Sequence, residues 1–162
     1  MMSNKVVVTP AQAGPAYWVM GDLFTFLATG EETGGNNFTE VVSIGPGNGP
    51  PPHIHHLEDE SFYILEGEIT FQVGEQVHTL CPGDFLYIPR DTVHSFKNGP
   101  KPARVLATFS PAGIEKFFQA VGDPVEDRNA PPPPVTQETI ARLLTTEANG
   151  WKDHHYTLPP QK

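Results

Sequence analysis

The sequence predicts an all-β fold, a barrel or sandwich, followed by one or two helices toward the C-terminus. Short runs rich in Val, Ile, Phe and Thr recur between residues 17 and 110, the length and composition of strands. Glycines and prolines divide those runs: 15 Gly and 18 Pro stand among 162 residues, a density that suits many strands joined by tight turns. After Pro111 the texture changes to helical spacing.

Residues 1–15 form a weakly specified arm with one β-like run, Lys5 to Val8. Tyr17 to Thr29 reads as a strand pair, turning at Gly21-Asp22, or as one long strand, and Glu31 to Asn37 as an exposed loop. Phe38 to Ile44 is a strand of alternating character. Gly45 to Pro52 contains four prolines; with φ fixed and donors removed it cannot be a central strand, and it forms a stiff approach to His53. His53 and His55, two apart, share one strand face, with Ile54 on the other. His55 and Glu60 are an odd number of residues apart, so a turn or bulge at His56 to Asp59 must re-aim the chain. From there Glu60, Phe62 and Ile64 point to one side. Strands follow at Ile69–Val73, Gln76–Leu80 and Phe85–Ile88; His94 and Phe96 share a face, and Arg104 to Phe109 closes the set.

Ala112 to Val121 carries an apolar stripe of Ile114, Phe117, Phe118 and Val121 at helical spacing. Four prolines, Pro131 to Pro134, make a semi-rigid spacer. A second helix begins near Thr136, with Ile140, Leu143 and Leu144 as its buried stripe. The expected organisation is one domain over 1–162, with a barrel at about 17–110. A helical segment at about 111–148, interrupted by the proline linker, and a flexible tail at 149–162 complete it.

Ten Lys and Arg against 19 Asp and Glu give a net charge of −9. That balance argues against nucleic acid, whose phosphates need basic patches, and against anionic membranes. The sequence shows no long apolar run and no signal-peptide core, and the single Cys81 allows no internal disulfide. A cytoplasmic location is therefore expected.

His53, His55, Glu60 and His94 make sense together as ligands. Three imidazoles and a carboxylate converging on one interior cannot all be core filler, since each needs partners to offset desolvation. Their donor atoms suit one divalent transition metal per chain, with iron, manganese, nickel, cobalt and zinc all open. Four protein ligands leave up to two octahedral positions for substrate, water or dioxygen. His56, beside the pair, falls on the opposite face and reads as a turn residue; His78 reads as a surface histidine. His154 and His155 have nothing to orient them, and Cys81 lacks a neighbouring base.

The pair of stretches Gly47-x5-His53-x-His55-x4-Glu60-x6-Gly67 and Gly83-x5-Pro89-x4-His94-x3-Asn98 closely resembles the two motifs of the cupin superfamily. One position departs: Asp91 stands where that family most often has glycine, and Asp tolerates positive φ better than most residues. The resemblance implies a small antiparallel jelly-roll barrel with the metal in its wide mouth, and a homodimer. PPHIHHLEDESFYILEGEITF, PGDFLYIPRDTVHSF and SPAGIEKFF are similar in wording to small bacterial cupins related to quercetin dioxygenase. In that group the metal binds a deprotonated enediol or hydroxy-ketone oxygen and dioxygen attacks the activated ring. Carried over by motif position, Glu60 would be both ligand and catalytic base toward a substrate hydroxyl.

Within the barrel the basic residues are sparse, and Lys97 falls on the face opposite His94, which disfavours a phosphosugar cavity. The candidate wall is Phe24, Phe62, Ile64, Tyr87 and Phe96, a lining for a flat organic molecule. A metal-dependent dioxygenase acting on a flavonol or related aromatic or enediol compound is the reading these features favour, with a small organic substrate and dioxygen as partners. A non-catalytic small-molecule-binding cupin and a metal-assisted isomerase or decarboxylase stay open beside it.

Overall fold

The computed structural model describes residues 5–146 and the backbone of Tyr156–Thr157. The chain begins with a hairpin of β1 (Ala16–Val19) and β2 (Asp22–Ala28). Its turn is Met20-Gly21, with φ of 51° and 89°, one residue before the expected Gly21-Asp22. Two successive left-handed residues give the turn a twist that matches the flanking strands. The expected loop at Glu31 to Asn37 begins instead as a one-turn helix, α1 (Gly30–Thr33). Thr29 N donates to Glu32 Oε2 at 2.9 Å and Gly30 N to Glu115 Oε1 at 2.9 Å, so two orphan donors of that turn are satisfied.

β3 (Phe38–Ile44) alternates as expected, with Phe38, Glu40, Val42 and Ile44 turned inward. The remaining strands are β4 (Ile54–His55), β5 (Asp59–Glu66), β6 (Ile69–Val73), β7 (Gln76–Leu80), β8 (Phe85–Ile88), β9 (His94–Asn98) and β10 (Ala103–Ser110). Next come α2 (Glu115–Val121), β11 (Asp123–Pro124), α3 (Gln137–Thr146) and β12 (Tyr156–Thr157). Seven strands form one antiparallel sheet in the order β11-β1-β2-β3-β10-β5-β8, and three more form β7-β6-β9. Reciprocal bonds between His53 and His94 (N to O, 2.9 and 3.0 Å) tie the segment before β4 to β9. The result is a curved double-layered β-barrel, the all-β architecture that the sequence predicts.

The core lies between the two layers. Phe26, Phe38, Phe62, Phe71 and Phe109 are almost fully buried, and their rings meet in tilted and edge-on pairs, such as Phe26–Phe38 at 4.7 Å. The sheets are linked by polar fasteners too. Asn98 Nδ2 donates to the carbonyls of Ile44, Gly45 and Lys101 at 3.1, 2.9 and 2.8 Å. Asp22 Oδ1 accepts from Gly45 N and Asn48 Nδ2 at 2.8 and 2.7 Å.

Three expectations need correction. Lys5 to Val8 is not a strand, and Val6 and Val8 are exposed: β-propensity forms no strand where no neighbour offers a ladder. Ile140 and Leu144 of α3 are exposed rather than buried; Leu143 alone of the three packs on the core, because α3 rests against α2 and turns only one side inward. β11 was not expected at all, since two residues carry no periodic signal. The α2 stripe does pack inward through Ile114, Phe117 and Val121. Trp151, His154, His155 and the proposed flexible tail 149–162 lie outside the described residues, apart from the backbone of Tyr156–Thr157, which pairs with β4. No helix among the described residues is long and apolar enough to cross a membrane.

Candidate metal centre

The structure brings His53, His55, Glu60 and His94 together, all buried, with potential ligand atoms within 4.8 Å of one another. His53 ends the proline approach, His55 closes β4, Glu60 is the second residue of β5, and His94 opens β9. Glu60 Oε2 lies 3.0 Å from His94 Nε2 and 3.4 Å from His55 Nε2. An ion with bonds of about 2.1 Å holds cis ligand atoms about 3.0 Å apart and trans atoms about 4.2 Å apart, so the cluster has the dimensions of a coordination shell.

The hydrogen bonds around the rings decide which nitrogens point inward. His53 Nδ1 lies 2.9 Å from the Pro51 carbonyl and His94 Nδ1 2.8 Å from the Thr92 carbonyl. A carbonyl only accepts, so both Nδ1 atoms carry hydrogen. In the neutral rings Nε2 then presents a lone pair to the cluster. His94 Nε2 and Glu60 Oε2 would be two lone-pair bearers in contact, an arrangement that requires a proton or a cation between them. A divalent metal fits that requirement and the donor set.

The charges describe the alternative in which a proton fills that gap, with Glu60 and His94 holding each other in their charged forms. Burial pushes the Glu60 carboxyl up, but hydrogen bonds and charge from His55 and His94 outweigh it and hold the group well below the carboxylate range. Burial works against a charged His94, yet Glu60 raises it above its ordinary value. His53 is pushed down to about 3 by burial and by the neighbouring His94 and His55, so it stays a neutral ligand.

The re-aiming turn falls where parity requires it, between β4 and β5. Asp91 has φ of 62°, the left-handed conformation that its substitution for glycine implied, and its N donates to the His55 carbonyl at 2.7 Å. His56 Nδ1 meets Asp91 Oδ1 at 2.7 Å, outside the four-residue cluster. His78 lies beside Gln76 at 3.2 Å, away from the cluster. Cys81 is exposed, and partial desolvation with the charges of Glu68 and Asp84 raises its thiol, leaving it an unreactive thiol.

The cluster opens on a cavity of about 390 Å³. Phe24, Phe62 and Phe96 line it together with His53, His55 and Glu60. Two expected wall residues do not. Ile64 is fully buried in the core beyond the cavity. Tyr87 is 53% exposed because it pairs with Ser61 on the outer face of β5, the parity opposite to Glu60; its hydroxyl engages Asp59 there.

The family model for the cupin domain matches residues 40–109, the span that holds all four cluster residues. The quercetin 2,3-dioxygenase of Bacillus subtilis is 34% identical over 129 residues, covering 79% of this chain and 38% of the relative. This chain is a cupin. It thus spans well under half the length of that enzyme. A protein of more similar length, the polyketide synthase CurC of Streptomyces cyaneus, is 29% identical over 131 residues, 80% of each chain. Among solved structures, an RmlC-like cupin from Shewanella frigidimarina superposes with a TM-score of 0.60 at 20% identity, over 72% of this chain and 99% of that one, a likeness of fold.

Reading the sequence missed part of this cupin's cavity. Phe117 and Phe118 of α2 and Leu143 of α3 line it; their helical stripes predicted burial but not against what. Glu40 was missed too, although a signal existed: it stands in the inward register of β3, between Phe38 and Val42. The structure buries it to 1% exposure in the cavity wall. Its Oε2 has no hydrogen-bond partner among the described residues. Burial first, then the charges of Glu60 and Glu115, push its carboxyl well above the usual range.

Proposed function

We propose that this cupin is a metal-dependent dioxygenase acting on a flavonol or a related hydroxylated aromatic or enediol compound. The observation that carries the reading is the joint geometry: a three-histidine, one-glutamate cluster faces an apolar, aromatic cavity that no Lys or Arg lines among the described residues. Such a wall suits a flat neutral ring and offers nothing to a phosphate. The likeness to a quercetin 2,3-dioxygenase supports the oxidative chemistry, and the likeness to CurC, named a polyketide synthase, supports an organic rather than a phosphorylated substrate.

His53, His55, Glu60 and His94 would hold one divalent metal, which when bound supplies Lewis-acid polarisation of a substrate oxygen and a coupling to dioxygen. Glu60 accepts the proton of the substrate hydroxyl and returns it to the product. The carbonyls of Pro51 and Thr92 keep His53 and His94 in the tautomer that presents Nε2. Phe62 and Phe96, with ring centroids 6.0 Å apart, fix the plane of the substrate ring, and the apolar wall excludes water. Dioxygen is the oxidant; both of its atoms end in the products and no separate reductant is consumed.

An oxygen electrode tests this with metal-loaded protein and a panel of flavonols, catechols and diketones. Oxygen uptake with at least one class is expected, and none with any would sink the reading. Tight saturable binding without turnover would identify a binding protein instead. Turnover without oxygen would identify an isomerase or decarboxylase. The proposal includes the homodimer implied by the resemblance and the cytoplasmic location expected from the sequence; light scattering on the purified protein tests the dimer.

A further inference from the structure

Glu40 has no place in the chemistry proposed for the cluster, yet it lines the same cavity. It pairs with Ala107 of β10, which pairs with Phe62 of β5; Glu60 pairs with Phe109, which pairs with Phe38. Glu40 and Glu60 are therefore two strands apart and two residues displaced, with Cα atoms about 12 Å apart at ordinary sheet spacings. The two carboxyls face one space from separate places on its wall, with aromatic and aliphatic side chains between them.

Leaving a buried carboxyl oxygen unpartnered costs about 1–3 kcal/mol. No cation among the described residues lines this cavity to pair with Glu40, and no backbone amide meets its Oε2. A structural role would need such a partner. The partner that the geometry admits is a molecule inside the cavity.

We propose that Glu40 is a substrate-binding residue. It hydrogen-bonds a hydroxyl on the ring remote from the cluster, so that the preferred ligand is a polycyclic phenol with polar groups at both ends. This rests on the flavonol-type reading of the site and deepens it. The neutral carboxyl that burial favours both donates and accepts, which matches a neutral hydroxyl and rejects an anionic group. Glu60 orients one end of the ligand, Glu40 the other, and the phenylalanines hold the plane between them.

The test uses full-length, zinc-loaded protein in the absence of oxygen, with two probes that share the 3-hydroxy-4-keto pair. Quercetin carries further hydroxyls on its remote rings and 3-hydroxyflavone carries none. Dissociation constants are measured for wild type, Glu40→Gln and Glu40→Leu, together with bound zinc and Tm. Wild type should prefer quercetin by roughly tenfold. Glu40→Gln, which keeps a donor and an acceptor, should retain most of that preference; Glu40→Leu should abolish it while zinc content holds and Tm does not fall. An equal preference in all three proteins would overturn the assignment and leave the flavonol-type reading standing. A fall in Tm or loss of zinc in both variants would make Glu40 structural and overturn it too. If neither probe binds wild type, the flavonol-type reading fails, and the role of Glu40 fails with it.

Discussion

His53 and His94 each donate Nδ1–H to the carbonyl two residues earlier, Pro51 and Thr92. The repeated arrangement makes each ring's orientation a property of its own local backbone, so the ligand geometry exists before any metal arrives. His56 shares none of this, because its Nδ1 is engaged by Asp91. His53→Ala or His94→Ala should therefore lower bound metal by about tenfold or more, whereas His56→Ala should keep it, as elemental analysis of the purified proteins would read. Equal loss in all three would defeat the parity argument. Glu40 makes a second prediction at this scale. Its carboxyl is raised above the ordinary 4.5, so the unfolded chain releases that proton near 4.5 while the folded chain keeps it. Stability should fall as pH rises above about 4.5, until the folded group also ionises. His53, depressed to about 3, works oppositely between about 3 and 6.5. The difference between wild type and Glu40→Gln in thermal melts across pH isolates the Glu40 slope; parallel curves would contradict it.

At the scale of elements, short polar connections set the angles at which strands deliver their ligands. The amide of Asn98 at the end of β9 serves three carbonyls, two of them at the end of β3 and one in the turn before β10. Asn98→Ala would strand buried acceptors and cost about 2–3 kcal/mol, a fall in Tm of roughly 5–10 °C for a domain of this size, measurable by calorimetry. Gly67 has φ of 81°, and a Cβ there would sit 2.8 Å from Ala103 Cα, which explains why the β5–β6 turn needs glycine. The strand series from Phe38 to Phe109 was legible because alternation and turn residues are local signals. Helix α1 was missed although Thr29-x-x-Glu32 is a local capping-box signal; the bond from Gly30 to Glu115, far along the chain, is the part no local pattern carries. β11 was not legible, since it exists only because β1 offers it an edge.

At the scale of the molecule, the barrel alone would leave its mouth open, and the two C-terminal helices narrow it. Phe117 and Phe118 of α2 and Leu143 of α3 complete the cavity wall, so these helices shape the space in front of the cluster. Leu143→Ala removes a half-buried apolar surface worth roughly 1 kcal/mol. It should weaken the binding of a flat aromatic ligand such as quercetin by about fivefold with little change in Tm. Unchanged affinity, measured by titration of zinc-loaded protein, would show that α3 does not reach the ligand. The exposed Ile140 and Leu144 show how narrow that seat is, since α3 rests on α2 and reaches the cavity through Leu143.

The sequence by itself singled out the four cluster residues by their chemistry, and it required a re-aiming turn after His55, because spacing and parity along a strand fix which side chains share a face. The left-handed Asp91 followed from the resemblance to the cupin motif. The sequence also determined the β architecture through alternation punctuated by glycine and proline. Only the tertiary structure decided which apolar side chains face the cavity rather than the core or the outside. Tyr87 and Ile64 have wall-like chemistry yet lie outside the cavity, because strand pairing and barrel curvature assign each inward residue to core or mouth. Only the tertiary structure, likewise, set Glu40 into the same cavity as Glu60 from two strands away, a juxtaposition made by pairing across the sheet and carried by no local pattern in the chain.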